Sequence, residues 1–302
     1  MIYTLTLNPA LDYVVRVPDF VPGQVNRMSE GTLMPGGKGI NVSMMLKNLG
    51  AESVVWGFSA GFTGRELSRV LSMMNCQTDF IELLEGDTRI NVKLKTREET
   101  EVNAPGPEIS KEAIGALLEK AKKLQQGDIL ILAGSVPKGV PNSIYQELAK
   151  ICQEKGADFV VDAEKDLLLN TLPYSPFLIK PNHHELGAIF GTEITDGKQA
   201  VTYAKELQKK GARNVLVSLG GAGAVLVAEN GAVYQKEAPK GKLVNSTGAG
   251  DSMVAGFLAG FFKEKDYSDA LLLGIAAGSA TAFSEGLAEG DLVWKLLETM
   301  KK

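Results

Sequence analysis

The order of apolar and polar positions divides the chain into a regular part and two interruptions. From about residue 110, helical periodicity alternates with short apolar runs. The pattern predicts a helix over 110–125, a buried strand over 128–133, a helix over 142–154, and strands over 159–162 and 177–180. A further helix starts near Asp196 and stops at Gly211, a residue suited to ending a helix, before a strand over 215–218. Strands separated by helices of this length make βαβ units. The expectation is therefore an α/β fold with a mainly parallel sheet, helices on both faces, and ligands at the carboxyl ends of the strands. The opening run 1–7 reads as another buried strand, and 248–262, 266–283 and 291–300 read as helices.

The interruptions lie at 14–17, followed by a segment containing Pro and Gly, and at 88–95. In the second, Arg89, Asn91, Lys93 and Lys95 alternate with Ile90, Val92 and Leu94, which gives a strand one basic and one apolar face. Both fit a small β lid, formed by about 13–34 and 87–104, inserted in a single domain spanning 1–302. An exposed apolar lid strand could pair with a second copy, so a homodimer through the lid is expected.

Composition narrows the class. The 302 residues are 44% hydrophobic and 23% charged, enough for a sizeable core, with a net charge of −4. That balance gives no reason to expect nucleic acid or an anionic membrane as partner, so an anionic substrate must be held by local cations. Cys76 and Cys152 are too few for a disulfide framework or a zinc site. The N-terminus lacks the basic stretch of a signal peptide, and no apolar run approaches the ~20 residues of a membrane span. A cytoplasmic protein is expected.

Four segments carry candidate chemistry. In Asn245-Ser246-Thr247-Gly248-Ala249-Gly250-Asp251-Ser252, glycines leave backbone amides open where an apolar helix begins, which makes an anion site. A carboxylate there makes chemical sense as the acceptor of a proton: a hydroxyl attacking a γ-phosphoryl needs a base, while the amides of Gly248, Ala249 and Gly250 stabilise the transferring charge. The plainer alternative is a Gly-rich helix start with an Asp favoured by the dipole. In Pro35-Gly36-Gly37-Lys38-Gly39-Ile40-Asn41, three glycines allow close approach to a ligand, with Lys38 and Asn41 as polar contacts, although the segment is not a Walker A loop. In Lys180-Pro181-Asn182-His183-His184-Glu185, Asn182 and Glu185 share a helix face and either serve Mg²⁺ through water or simply cap the helix. The adjacent histidines read as structural. Ser218-Leu219-Gly220-Gly221-Ala222-Gly223 either runs beside a nucleotide or is a bare hairpin.

Together, Gly36-Gly37-Lys38-Gly39-Ile40-Asn41 and Thr247-Gly248-Ala249-Gly250-Asp251 resemble, in order and separation, the two signatures of the ribokinase-like sugar kinases, the phosphofructokinase B family. The resemblance runs through the whole chain. It implies a three-layer α/β/α fold with a nine-stranded-type core and a small β-sheet lid, the use of ATP and Mg²⁺, and phosphorylation of a sugar hydroxyl. Thr6-Leu7-Asn8-Pro9-Ala10-Leu11-Asp12, Lys38, Thr88-Arg89-Ile90-Asn91-Val92, 180–186 and 243–246 are similar to members acting on ketohexose phosphates. The implied reaction converts D-fructose 1-phosphate to fructose 1,6-bisphosphate, with tagatose 6-phosphate or fructose 6-phosphate as alternative acceptors.

By the same resemblance, Asp12 binds sugar hydroxyls, and Gly37, Lys38, Asn41 and Asn91 line the sugar site. Arg27 and Arg89 approach the substrate phosphate, with Ser135 nearby. Lys180, Asn182, Ser218, Gly220, Gly223, Gly248 and Gly250 run along the nucleotide, and Glu185 joins Asn182 at the Mg²⁺ water shell. Ser246 stands where many members have Asp. A nicotinamide-dependent oxidoreductase would require G-x-G-x-x-G after the first strand, where this chain has Asn8-Pro9-Ala10-Leu11-Asp12. A sugar-phosphate sensor without activity would be expected to lose the base, and Asp251 is present.

Overall fold

The computed structural model describes residues 1–96 and 99–302; Arg97 and Glu98, inside the second expected lid stretch, lie outside the described residues. In chain order the strands are β1 (Ile2–Thr6), β2 (Ala10–Arg16), β3 (Glu30–Gly36), β4 (Val54–Ala60), β5 (Gln77–Leu83), β6 (Arg89–Lys95) and β7 (Glu99–Val102). They continue with β8 (Ile129–Ala133), β9 (Asp158–Asp162), β10 (Leu178–Ile179), β11 (Asn214–Ser218), β12 (Ala224–Val227) and β13 (Val233–Lys236). The helices are α1 (Lys38–Asn48), α2 (Gly61–Met73), α3 (Lys111–Ala121), α4 (Ile144–Lys155) and α5 (Lys165–Leu169). After these come α6 (His183–Phe190), α7 (Gly197–Lys209), α8 (Ala249–Glu264), α9 (Tyr267–Ala282) and α10 (Gly290–Met300).

Nine strands form one sheet in the order β13-β12-β11-β10-β9-β8-β1-β4-β5. It is parallel from β11 to β5, with β12 and β13 added antiparallel. The apolar strand sequences have no polar face because both faces are covered. On one, side chains from α3, α4, α6 and α7 pack on Leu5, Leu130 and Val161; on the other, α1, α8, α9 and α10 pack on Ile131, Val160 and Leu216. Helices α8 and α9 are apolar nearly all round, as a helix buried between layers must be. They approach closely through glycines: a Cβ on Gly256 would lie 2.6 Å from the Leu273 carbonyl oxygen.

The pattern-based elements match in place and shift at their ends. The strand expected over 177–180 is reduced to Leu178–Ile179. Pro181 has no N–H to continue the ladder, although the Lys180 amide still donates to the Val161 carbonyl at 3.1 Å. The unit β4-α2-β5, which the sequence reading leaves unassigned, extends the parallel sheet beyond β1.

The second sheet holds four strands in the order β3-β2-β6-β7. β2 pairs with β6 in parallel, placing Asp12 beside Asn91, Val14 beside Lys93 and Arg16 beside Lys95. Period-two alternation then turns this polar row toward one cleft and leaves Ile90 on the opposite face. Among the described residues, no helix is long and apolar enough to cross a membrane.

Candidate active site

The two glycine-bearing turns, some 200 residues apart in sequence, meet in space. Lid strand β3 runs into α1 through Gly37, whose φ of 128° is open to glycine. A Cβ there would lie 2.5 Å from Thr6 Cγ2. Thr6, the last residue of the central strand β1, also accepts the Ile40 amide on its Oγ1 at 3.0 Å. This clamp sets the start of α1 on the carboxyl edge of the sheet. Asn41, one turn along, donates from Nδ2 to Asp251 Oδ2 at 2.8 Å.

Asp251 sits in the first turn of α8, behind Gly248 in the left-handed conformation with φ 78°. The Ala249 amide turns back to the Ser246 carbonyl at 3.2 Å. The Gly250 and Asp251 amides lie where a helix offers no internal acceptor, so they are free to donate outward from this turn. Gly250 keeps the approach clear: a Cβ on it would stand 3.3 Å from Lys180 Nζ.

The Asp251 carboxyl is 5% exposed. Burial, then the charge of Asp162, raises its pKa to about 6, against the opposing pull of Lys38, Asn41 and Lys180. That places the proton affinity of the carboxylate close to neutral, where a general base is most effective. Asp162, the last residue of β9, is 1% exposed and lies between two ammonium groups, Lys180 Nζ at 3.2 Å and Lys38 Nζ at 3.5 Å. Burial alone would raise its pKa, but Lys180 and Lys38 together hold it below the ordinary value. Lys38 is raised because Asp162, Asp251 and Glu185 outweigh its own desolvation. From sequence alone Asp162 is only the end of a strand. The available signal was an acidic residue closing an otherwise apolar strand at the carboxyl edge of a parallel sheet.

From Asn41 a cleft of about 530 Å³ opens between α1 and the lid, lined by Asp12, Met34, Lys93 and Thr247 among others. Asn91 Nδ2 donates to Asp12 Oδ1 at 2.8 Å, and Lys93 Nζ lies 3.2 Å from Asp12 Oδ2 and 3.5 Å from Glu101. The Lys93 side chain is therefore a fixed, 15% exposed part of the wall rather than a solvated lysine. Arg89 donates to the carbonyls of Asn8 at 3.0 Å and Ala104 at 3.4 Å, while its buried Nε has no partner among the described residues. Ser135 is exposed just past the end of β8, beside Lys38 through Gly134. Arg27 is not brought in: it stands exposed on the loop between β2 and β3, outside the residues that line the cleft.

On the other side, Asn182 and Glu185 form a reciprocal cap at the start of α6. Asn182 Oδ1 accepts the Glu185 amide and Glu185 Oε2 accepts the Asn182 amide, both at 2.8 Å. Each keeps one side-chain polar atom outside the cap. The His183 and His184 rings lie 3.9 Å apart between centroids, and His183 Nδ1 is buried without a partner among the described residues. Ser218 bridges to Asn182 in a parallel β-bridge, and the following turn joins β11 to β12 as an antiparallel hairpin. Gly223, at φ 97°, has no room for a Cβ against the Lys236 carbonyl, whereas Gly220 and Gly221 face open space.

A buried carboxylate beside two ammonium groups and free helix amides suits attack of an alcohol on a polyanion, and phosphoryl transfer is the class that this fold and site define. The chain belongs to the pfkB family of carbohydrate kinases, whose family model matches residues 5–294. The 1-phosphofructokinase of Bacillus subtilis is 52% identical over 301 residues, covering 100% of this chain and 99% of that protein. The D-tagatose-1-phosphate kinase of Bacillus licheniformis is 38% identical over 290 residues, covering 96% and 95%. Among solved structures, phosphofructokinase-2 from Escherichia coli in complex with substrates and products superposes with a TM-score of 0.94 at 30% identity, covering 100% of this chain and 99% of that one.

Proposed function

We propose that this chain transfers the γ-phosphoryl of ATP to the 6-hydroxyl of D-fructose 1-phosphate, giving fructose 1,6-bisphosphate and ADP. The observation that carries the reading is the buried Asp251 carboxylate, oriented by Asn41 in the first turn of α8 and held near neutral proton affinity. Asp251 takes the proton of the attacking hydroxyl, while the Gly250 and Asp251 amides and the two lysines receive the phosphoryl charge. Asp12 and Asn91 on the lid hold sugar hydroxyls, and Lys180, Ser218, Gly220 and Gly223 run beside the nucleotide. Closure of the lid excludes water as a competing acceptor. Full-length similarity to proteins named for ketohexose 1-phosphates supports placing the substrate phosphate on the first carbon.

Among the described residues, no group of three or more His, Cys, Asp or Glu could cage a metal. That suits Mg²⁺ bound chiefly by nucleotide phosphates and water, with Glu185 and Asn182 at its margin. Such an ion would neutralise charge on the β- and γ-phosphates. The outward lid face exposes Leu33, Ile90 and Val102 at 42%, 39% and 57%, which supports a homodimer through the lid. Two buried, unpaired thiols fit an enzyme of a reducing, cytoplasmic compartment.

Release of ADP with fructose 1-phosphate, tagatose 1-phosphate, tagatose 6-phosphate and fructose 6-phosphate as acceptors tests the reading. The expected order puts fructose 1-phosphate first in kcat/KM, and a 6-phosphate ranking first would reverse the assignment. Arg89→Ala should raise KM for the sugar phosphate about 10–100-fold, the worth of a charged hydrogen bond, with kcat changed far less. An unmoved KM would place the phosphate away from Arg89.

A further inference from the structure

Asp162 is the least exposed charged group near the reaction centre, and its surroundings exceed what a stabilising ion pair requires. One carboxylate faces two ammonium groups, so the cluster carries a net positive charge in a buried place. Such triads contribute little stability compared with apolar side chains of the same volume, because desolvation offsets the attraction. The geometry gives the cluster a direction instead. Lys180, 5% exposed at its side chain, reaches the Asp251 turn, its Nζ 3.3 Å from where a Cβ on Gly250 would stand. Lys38, 38% exposed at its side chain, is paired with Asp162 Oδ2 only at 3.5 Å, so part of its ammonium group faces away from the carboxylate.

We propose that Asp162 is a positioning residue for phosphoryl transfer, holding the ammonium groups of Lys38 and Lys180 against the turn that carries Asp251. Without its charge the two lysines repel one another and lose the anchor that fixes their direction, and displacements near 1 Å cost such sites about 10²-fold in rate. The same charge also acts on the base. The charged groups facing Asp251 are Asp162 from β9, Lys38 from α1 and Lys180 from the end of β10, and of these Asp162 alone favours the protonated form. The inference takes its reaction from the kinase reading above and its geometry from the charge cluster alone.

Asp162→Asn keeps the side-chain shape and removes the charge. In that variant kcat should fall about 10–100-fold, while KM for the sugar phosphate, whose contacts lie on the lid, changes less than about threefold. The acid limb of the kcat profile should move to lower pH, because a base relieved of a like charge binds its proton less tightly. The ¹³C carboxyl titration of Asp251, assigned by its loss in Asp251→Asn, should move the same way and requires no turnover. An Asp251 titration that does not move in Asp162→Asn overturns the inference. If the wild-type protein phosphorylates no ketohexose phosphate but the titration moves, the kinase reading fails and the role of Asp162 in the charge cluster stands. Should Asp162→Asn not fold, Lys180→Met probes the cluster from the other side. It removes a cation from the base, so the Asp251 titration must move to higher pH, and a static one is again fatal.

Discussion

Asp251→Asn should lose about 10²–10⁴ in kcat and, above pH 6, be the more stable protein. The rate loss is the usual scale for removing a general base, and nucleotide affinity should change little because the helix amides remain. The stability gain follows from the raised pKa. Burial pushes the Asp251 pKa up to about 6 in the fold from the 3.8 of an ordinary Asp, so between those limits the folded chain binds the extra proton. Stability therefore falls as pH rises through that window and stays lower above it. The cost is on the order of 2–3 kcal/mol of ionisation in a buried site. An asparagine escapes it, and its side-chain oxygen can still accept from Asn41. Thermal midpoints measured from pH 3.5 to 8 should coincide for the two proteins at the acid end and separate in favour of the variant above pH 6. A variant that turns over normally would remove the base assignment, and parallel midpoints at every pH would place the strain elsewhere.

Much of this site is legible before any coordinates exist, and the reason is local. Gly248, Gly250 and Asp251 mark a Gly-rich helix start with an acid in its first turn, and that is a property of eight consecutive residues. The polar row Arg89, Asn91, Lys93 follows from alternation along one strand, and its side of the lid needs only the period of two. What stays hidden depends on contacts between distant segments. Asp162 is one acidic residue at the end of an apolar run, and nothing nearby in sequence says that Lys38 and Lys180 converge on it. The partners of Lys93 are equally remote from pattern, because Asp12 and Glu101 reach it from the two neighbouring strands. Arg27 is a different case: similarity places it at the phosphate, and within this chain it lies on the exposed loop between β2 and β3. The reading of Asn182 and Glu185 left capping and metal binding both open, and the reciprocal cap shows that one pair of atoms can serve the helix while others remain for a ligand.

Gly39→Ala should destabilise the protein by about 2 kcal/mol or more, against the sign that helix propensity assigns. Gly39 lies inside α1, where replacing glycine by alanine ordinarily gains ~1 kcal/mol. Here the added Cβ would stand 2.5 Å from Thr6 Oγ1 and 2.7 Å from the Leu5 carbonyl oxygen. Neither neighbour can yield cheaply. Leu5 is main chain of the central strand β1, paired with β8 and β4, and Thr6 Oγ1 is the acceptor of the Ile40 amide. Overpacking against such a frame costs about 1–3 kcal/mol or more, and the helix can relieve it only by withdrawing from the sheet. Withdrawal carries Lys38 and Asn41 with it, so activity should fall further than the unfolded fraction explains. Gly115→Ala in α3 is the control, since nothing lies within 4 Å of its added Cβ. That change should stabilise by about 0.5–1 kcal/mol. Urea midpoints of opposite sign for the two variants, at an unchanged slope, would show that the close seating of α1 on β1 decides the cost. If Gly39→Ala matched Gly115→Ala in stability and kept full kcat, the clamp formed by Thr6 would not be what places Asn41 beside Asp251.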